Sequence, residues 1–371
     1  MQRSHMLLFT PGPLNTSPTV RQAMLEDMGS RDEQFIQLIA SVRDGILAVG
    51  GVHQRDGFEA IPLQGSGTYA IESVLTTAIG PEDRQLILVN GAYGRRIVDI
   101  SACHRLNYEV YEVPENCLHD ASQIEALLKD SRFDFLTAVH CETTTGILNP
   151  IAQWGSLARQ HGCKFIVDAM SSFGGVSINL AIEPIDYLIS SANKCLQGVP
   201  GLAFVIARRA ALMSIRHSAR TVSLDILQQL LGFEKLGQFR FTPPTHIVLA
   251  LEQALKELKE EGGVEQRASR YRQNHEVLCD GMRSLGFRPY VARELQSHII
   301  TAFLYPDNPR FDFNDFYKRL ARRSMVIYPG KLTQVDCFRI GSIGHLFADD
   351  MRELLSAIEA VLFEMQLTIP V

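Results

Sequence analysis

Asp168 and Lys194 have the residue types and the spacing to do chemistry together. Asp168 lies in FIVDAMSSFGG (165–175) and Lys194 in DYLISSANKCLQGVPG (186–201). Each stands just past a short apolar run, FIV before Asp168 and YLI before SSANK, so both fall along one edge of a parallel sheet. A carboxylate and an amine so placed suit pyridoxal phosphate. The lysine would carry the coenzyme as a Schiff base. The carboxylate would keep the pyridine nitrogen protonated, so that the ring can accept electrons from a substrate carbanion.

Further segments fit the same ligand. QGSGT (64–68) falls between a strand and a helix; its two glycines let the backbone approach an anion, Ser66 and Thr68 offer hydroxyls, and the helix that starts here points free N–H groups at the same spot. Taken by itself it is more often a glycine turn with a hydroxyl cap, and it lacks the lysine of a P-loop. NGAYG (90–94) puts Tyr93 at a strand-to-helix turn, where it could stack on a planar coenzyme or fill a core. HCETTTG (140–146) offers Thr144 and Thr145 past another strand end, as hydroxyl donors or as a plain Thr-rich turn. Asn193 adjoins the lysine in SSANK. Arg339, in CFRIGS, could anchor an anionic substrate through two parallel hydrogen bonds or form a structural ion pair. Cys195 and Cys337 sit in apolar strand contexts that speak against reactive thiols.

The elements that must position these groups are legible from periodicity. Between about 58 and 207, FEAIPL, QLILVN, EVYEV, DFLTAVH, KFIVD, DYLIS and LAFVIA read as strands alternating with helical stretches. Such alternation predicts an α/β fold with a mostly parallel sheet covered on both faces. Ser122 and Glu125 suggest a capping box ahead of IEALL. After residue 242 the pattern changes to a helix with Leu251, Leu255 and Leu258 on one face, then a second helical stripe through Tyr271, His275, Leu278, Met282 and Leu285. HIITAFLY, a helix near 313–322, VIYPG, CFRIGS and a last helix near 349–363 complete a smaller α+β unit. The expected division is an N-terminal segment 1–15, a large coenzyme-binding domain 16–262 and a small C-terminal domain 263–371. MQRSHM is expected to be a loose end.

Bulk composition excludes several classes of function. A net charge of −5, with basic residues single or in pairs such as Arg95-Arg96, argues against nucleic-acid and membrane-surface partners; the pairs look like solvated surface. Eleven histidines without a paired-ligand spacing argue against a metal site. Seven cysteines with no C-x-x-C, and no long apolar run, point to a reduced cytoplasmic setting.

TPGPLNTS (10–17), LQGSGTYAIESVL, NGAYGRR, HCETTTGILNPI, FIVDAMSSFGG, DYLISSANKCLQGVPG, FRFTPPTH and YPGK…DCFRIGSIG together resemble the 2-aminoethylphosphonate–pyruvate transaminases. These belong to the fold-type I pyridoxal-phosphate aminotransferases, in the branch with alanine–glyoxylate and serine–pyruvate aminotransferases. The resemblance runs from about Leu7 to the last helix. It implies a Schiff-base role for Lys194, a pyridine partner in Asp168, a phosphate loop at Ser66, Gly67 and Thr68, and ring stacking by Tyr93. It also implies contact of Thr144 or Thr145 with the ring oxygen, and Arg339 as carboxylate anchor. Thr242 would reach the phosphate from the neighbouring subunit of a homodimer. The implied reaction converts 2-aminoethylphosphonate and pyruvate into phosphonoacetaldehyde and L-alanine.

Overall fold

The computed structural model describes residues 6–330, 332 and 335–371. Of the opening MQRSHM only Met6 is described, so the expected loose end lies outside the described residues, as does Lys331 of the YPGK motif.

Seven strands form the main sheet: β1 (Phe58–Gln64), β2 (Arg84–Val89), β3 (Asn107–Glu112), β4 (Phe135–Val139), β5 (Lys164–Asp168), β6 (Tyr187–Ser191) and β7 (Leu202–Arg208). Their spatial order is β1-β7-β6-β5-β4-β2-β3. All pairings from β3 across to β6 are parallel, and β7 alone is reversed, antiparallel to both β6 and β1. The α/β architecture expected from the alternation is therefore present, with one reversed strand that alternation could not reveal. β4 and β6 are buried along their whole length, and β5 and β7 at all but one end residue, as strands covered on both faces must be. β3, at the edge, keeps Glu109 and Glu112 exposed, which discourages further strand pairing.

Helices α1 (Gly67–Ala78) and α2 (Ala92–Cys103) start within a few residues of the ends of β1 and β2 and pack Ile71, Val74, Leu75, Ile97 and Val98 into the sheet's core. Each such side chain contributes about 1.5–3 kcal/mol when fully buried. The helix at Ala121–Asp130 does not start with the expected Ser122/Glu125 box. Its cap is Asp120, whose carboxylate accepts from Ser122 N at 2.9 Å. An aspartate directly before the first helical residue takes the cap that a serine inside the first turn cannot.

Helices α3 (Thr245–Glu260) and α4 (Gly263–Ser284) meet at Gly262, whose φ of 103° suits glycine. Leu251, Leu255 and Leu258 join the core of the main sheet. Leu278, Met282 and Leu285 join a second core with Phe287, Phe303, Phe316, Phe338 and Ile340. That core rests on a small antiparallel sheet in which β8 (Ile300–Leu304) and Tyr328–Pro329 flank β9 (Cys337–Gly341), backed by α5 (Ala348–Glu364). The chain's start is tied here too, since Leu7–Leu8 pair in parallel with Met325–Val326 and Phe9 lies in the second core.

Candidate active site

Five strand-to-loop exits open on the same edge of the main sheet. β1 leads into Gly65–Thr68, β2 into Asn90–Gly94, β4 into His140–Gly146, β5 ends on Asp168, and β6 leads into the connection that holds Lys194. Because β7 is reversed, that connection doubles back at once. Ala192 N donates to Leu202 O at 3.0 Å, and Gly198 N to Ala192 O at 2.8 Å. Open α/β sheets bind their ligands at this end of the strands.

Lys194 Nζ donates to the carbonyl of Pro11 at 2.8 Å. Gly12, at φ +120°, passes so close that a Cβ there would lie 2.6 Å from Lys194 Cδ. The N-terminal TPGPLNTS segment is thus the roof over the lysine. Burial pulls the amine down to about 8, opposed by Cys195 and Asp168 and reinforced by Arg339 and Arg96. Asp168 is buried, and its Oδ1 accepts from Met170 N at 2.8 Å, while Oδ2 has no hydrogen-bond partner among the described residues. Burial raises this carboxyl to about 6, against the Met170 N–H and the charges of Arg96 and Lys194.

At the start of α1, Gly65 takes φ +116° and Ser66 caps in an extended conformation without using its side chain. The first N–H groups of the helix are thereby left for a ligand. Gly67 packs against Met170: a Cβ there would meet its sulfur at 2.1 Å, so the glycine turn and the Asp168 loop set each other's position. Thr68 Oγ1 accepts from Arg96 Nη1 at 3.2 Å.

Sequence reasoning passed over Glu142, which organises the next part of the site. This fully buried carboxylate accepts from Tyr93 N at 3.0 Å and Gly94 N at 3.2 Å through Oε2, and from Thr144 Oγ1 at 2.9 Å through Oε1. It joins the first turn of α2 to the threonine turn. Burial raises it to about 7, opposed by the Thr144, Gly94 and Tyr93 donors. Thr145 is engaged within the turn itself, donating to Glu142 O and accepting from Ile147 N. His140 was also passed over. Its N–H donates to Asp168 O at 2.8 Å, its Nδ1 lies 2.9 Å from Ser172 Oγ, and burial pulls it down to about 3, so the ring is neutral. The available signal was position: His140 follows β4 as Asp168 closes β5. An acid among three threonines was a second.

Arg339 reaches this edge from the small sheet. Along β9, Phe338 and Ile340 enter the aromatic core, and strand alternation turns Arg339 the other way. Its Nη1 donates to Thr143 O at 2.8 Å and its Nε to Pro329 O at 3.0 Å, with Tyr328's ring 5.0 Å from the guanidinium. Burial lowers its pKa, while Tyr93, Tyr328, Cys337 and Glu142 act in the opposite sense. Lys194, Asp168, Arg339, Tyr93 and the Thr144 turn are brought together. Asn193 is half-buried beside Lys194. Thr242 lies in an exposed segment whose carbonyl accepts from Gln64 Nε2 at 2.9 Å, next to the QGSGT turn. Cys195 donates to Ser171 O at 3.1 Å and burial pushes it up to about 12, so it stays a thiol and Cys337 is likewise buried.

Among the described residues no group of three or more His, Cys, Asp or Glu could hold a metal ion, and no helix is long and apolar enough to cross a membrane. Comparison with a family profile, curated proteins and solved structures gives matches of each kind. The profile of the family described as Aminotransferase class-V matches residues 20–331. A curated 2-aminoethylphosphonate–pyruvate transaminase of Salmonella agona (strain SL483) is 48% identical over 369 residues, covering 99% of this chain and 100% of the relative. That of Salmonella typhimurium is 48% identical over 98% of this chain and 99% of its own length. Among solved structures, an alanine–glyoxylate aminotransferase from Nostoc sp. superposes with a TM-score of 0.90 at 26% identity, covering 98% of this chain and 96% of the other. Ureidoglycine–glyoxylate aminotransferase from Bacillus subtilis superposes at 0.91 with 24% identity, over 100% and 96%, and shows the same fold. With a family profile over most of its length and relatives at nearly half identity end to end, the chain belongs to the class-V aminotransferases.

Proposed function

We propose that this chain transfers the amino group of 2-aminoethylphosphonate to pyruvate, giving phosphonoacetaldehyde and L-alanine, with pyridoxal phosphate as coenzyme. The observation that carries the reaction type is the meeting of Lys194 and Asp168 on one sheet edge, both drawn toward neutrality by burial. The substrate pair rests on the 48% identity to curated relatives of that name.

The residues present fit the coenzyme. Lys194 would hold it covalently, Asp168 has a carboxylate oxygen without a described partner for the pyridine nitrogen, and Tyr93 offers a half-buried ring. Ser66, Gly67 and Thr68, at a helix start with uncapped N–H groups, suit its phosphate. When bound, the coenzyme supplies an electron sink for the carbon whose C–H bond breaks.

The chain's own residues have narrower tasks. Once the donor's amine has replaced it on the coenzyme, Lys194 Nζ would take the proton from the amine-bearing carbon of the donor and pass it to the coenzyme; burial, which holds the free amine down to about 8, favours this base form. In the second half it delivers a proton to the carbon that becomes Cα of alanine. Asp168, as a carboxylate, keeps a proton on the pyridine nitrogen, and that cation favours the ionised form which burial alone disfavours. Arg339 would bind the phosphonate and then the carboxylate of pyruvate. Its contacts to Thr143 O and Pro329 O fix the guanidinium plane and leave Nη2 without a partner among the described residues.

We also infer a homodimer in which Thr242 reaches the neighbouring subunit's phosphate site; exposed Leu236 and Phe241 beside it support an apolar contact. The division into 1–15, 16–262 and 263–371 is supported by the two cores either side of Gly262. A cytoplasmic location is supported by seven cysteines that form no disulfide among the described residues.

A panel of amine donors against pyruvate, with alanine as readout, tests the substrate reading. 2-Aminoethylphosphonate should be the best donor by kcat/KM. Alanine–glyoxylate exchange outrunning it would transfer the chain to that sister activity.

A further inference from the structure

Arg95 and Arg96 are neighbours in sequence with opposite surroundings. Arg95 pairs with Glu112 at an exposed edge, as expected of solvated surface. Arg96 corrects that expectation: it is half-buried and turned into the site. Its Nη1 donates to Thr68 Oγ1 at 3.2 Å, and its guanidinium carbon lies 4.7 Å from the centroid of the Tyr93 ring. Tyr93 and Arg96 are three residues apart on α2, hence on one face, and Thr68 belongs to the first turn of α1. One planar cation therefore touches two groups from different loops, the hydroxyl at the phosphate turn and the aromatic ring beside it.

Its other donors are unengaged: Arg96 forms no ion pair with a carboxylate among the described residues, and its Nε and Nη2 bond to none of them. A guanidinium carries five N–H donors in a fixed fork, and one neutral hydroxyl uses one of them. We propose that Arg96 is a positioning residue for the coenzyme, locking the Tyr93 ring and the Thr68 hydroxyl and adding positive charge beside the start of α1 that favours a phosphate monoester. Its charge also reaches Asp168, which it helps keep ionised, and Lys194, whose protonated form it disfavours. This inference rests on the proposed use of pyridoxal phosphate at this site.

The test is binding of pyridoxal phosphate and of pyridoxal, which lacks the phosphate, to coenzyme-free protein. In the wild type a clear preference for the phosphorylated form is expected; failure to bind it at all would sink the functional reading itself. In Arg96→Gln the preference should fall about tenfold or more, the loss of one charge-assisted contact. Arg96→Lys, which keeps the charge, should hold the preference within about threefold of wild type. Arg96→Met keeps the aliphatic stem and serves the same comparison should Arg96→Gln not fold. An unchanged preference in the neutral variants overturns the proposal. So does a variant with intact coenzyme binding but weakened 2-aminoethylphosphonate binding, which would put Arg96 on the substrate instead.

Discussion

The edge of the main sheet and the small antiparallel sheet bury their polar groups in opposite ways. At the edge, Asp168 is raised to about 6, Glu142 to about 7, and Lys194 is lowered to about 8. All three stand at a strand's last residue or within a few residues beyond it. In the small sheet, Phe338 packs against Phe287, Phe303 and Phe313 with centroids 5.4, 5.9 and 5.8 Å apart. Arg339, next to it, is fixed by two backbone carbonyls on a strand whose five residues are all buried. In the first region burial draws ionisable groups toward neutrality; in the second, two carbonyls hold a charge in place. Damage to the edge should therefore appear in kcat, and damage at Arg339 in KM.

The largest expected effect is Lys194→Ala. Removing the amine proposed to transfer the proton should lower kcat by at least about 10²–10⁴-fold and abolish the absorption band of the lysine-bound coenzyme. The thermal midpoint of the coenzyme-free protein should hold. A mutant that keeps the band would end the assignment. Asp168→Asn comes next. A neutral amide cannot pair with a pyridinium, and losing a charge-assisted hydrogen bond of about 1.5–3 kcal/mol corresponds to roughly ten- to a hundredfold in rate. Bound coenzyme should be retained, and activity within about twofold of wild type would refute the role. Arg339→Lys should be milder and of another kind. It keeps the charge and loses the fork, so KM for both donor and pyruvate should rise about tenfold with kcat changed little. A fall in kcat at constant KM would erase the proposed division of labour between the two regions.

What the sequence made legible follows the same division. Asp168, Lys194 and QGSGT announce themselves because each is a polar or glycine break directly after an apolar run, a local signal. The direction of β7 was not legible, since LAFVIA reports burial and not orientation. Yet that reversal is what turns the chain back at Ala192 and keeps Lys194 at the edge. Glu142 and Arg96 were missed because their meaning is tertiary. Glu142 matters through N–H groups 48 and 49 residues away in the chain, and Arg96 through a hydroxyl 28 residues away. The capping error at Asp120 has a different origin. Aspartate and serine are both good caps, and periodicity cannot choose between positions two residues apart.

The smallest expected effect on activity, and the sharpest probe of the edge, is Glu142→Gln. Glu142 is raised from an ordinary value of 4.5 to about 7 in the folded protein by burial. A carboxyl with a raised folded pKa favours the native state in its protonated form. Its contribution is full below the unfolded value and is lost as pH climbs through the folded one. Stability of the coenzyme-free protein should thus decline from about pH 4.5 to about pH 7 on account of this group, and Asp168 adds a decline of the same sign ending near 6. Glutamine copies the protonated side chain: its carbonyl can accept from Tyr93 N and Gly94 N, and its amide can donate to Thr144 Oγ1. The variant should match wild type near pH 5 and become relatively more stable near pH 7.5, by on the order of 1–3 kcal/mol. Thermal melts of the two coenzyme-free proteins across that range would show the gap opening. Parallel curves would mean that Glu142 keeps one protonation state throughout, and that the edge is tuned through Asp168 and Lys194 alone.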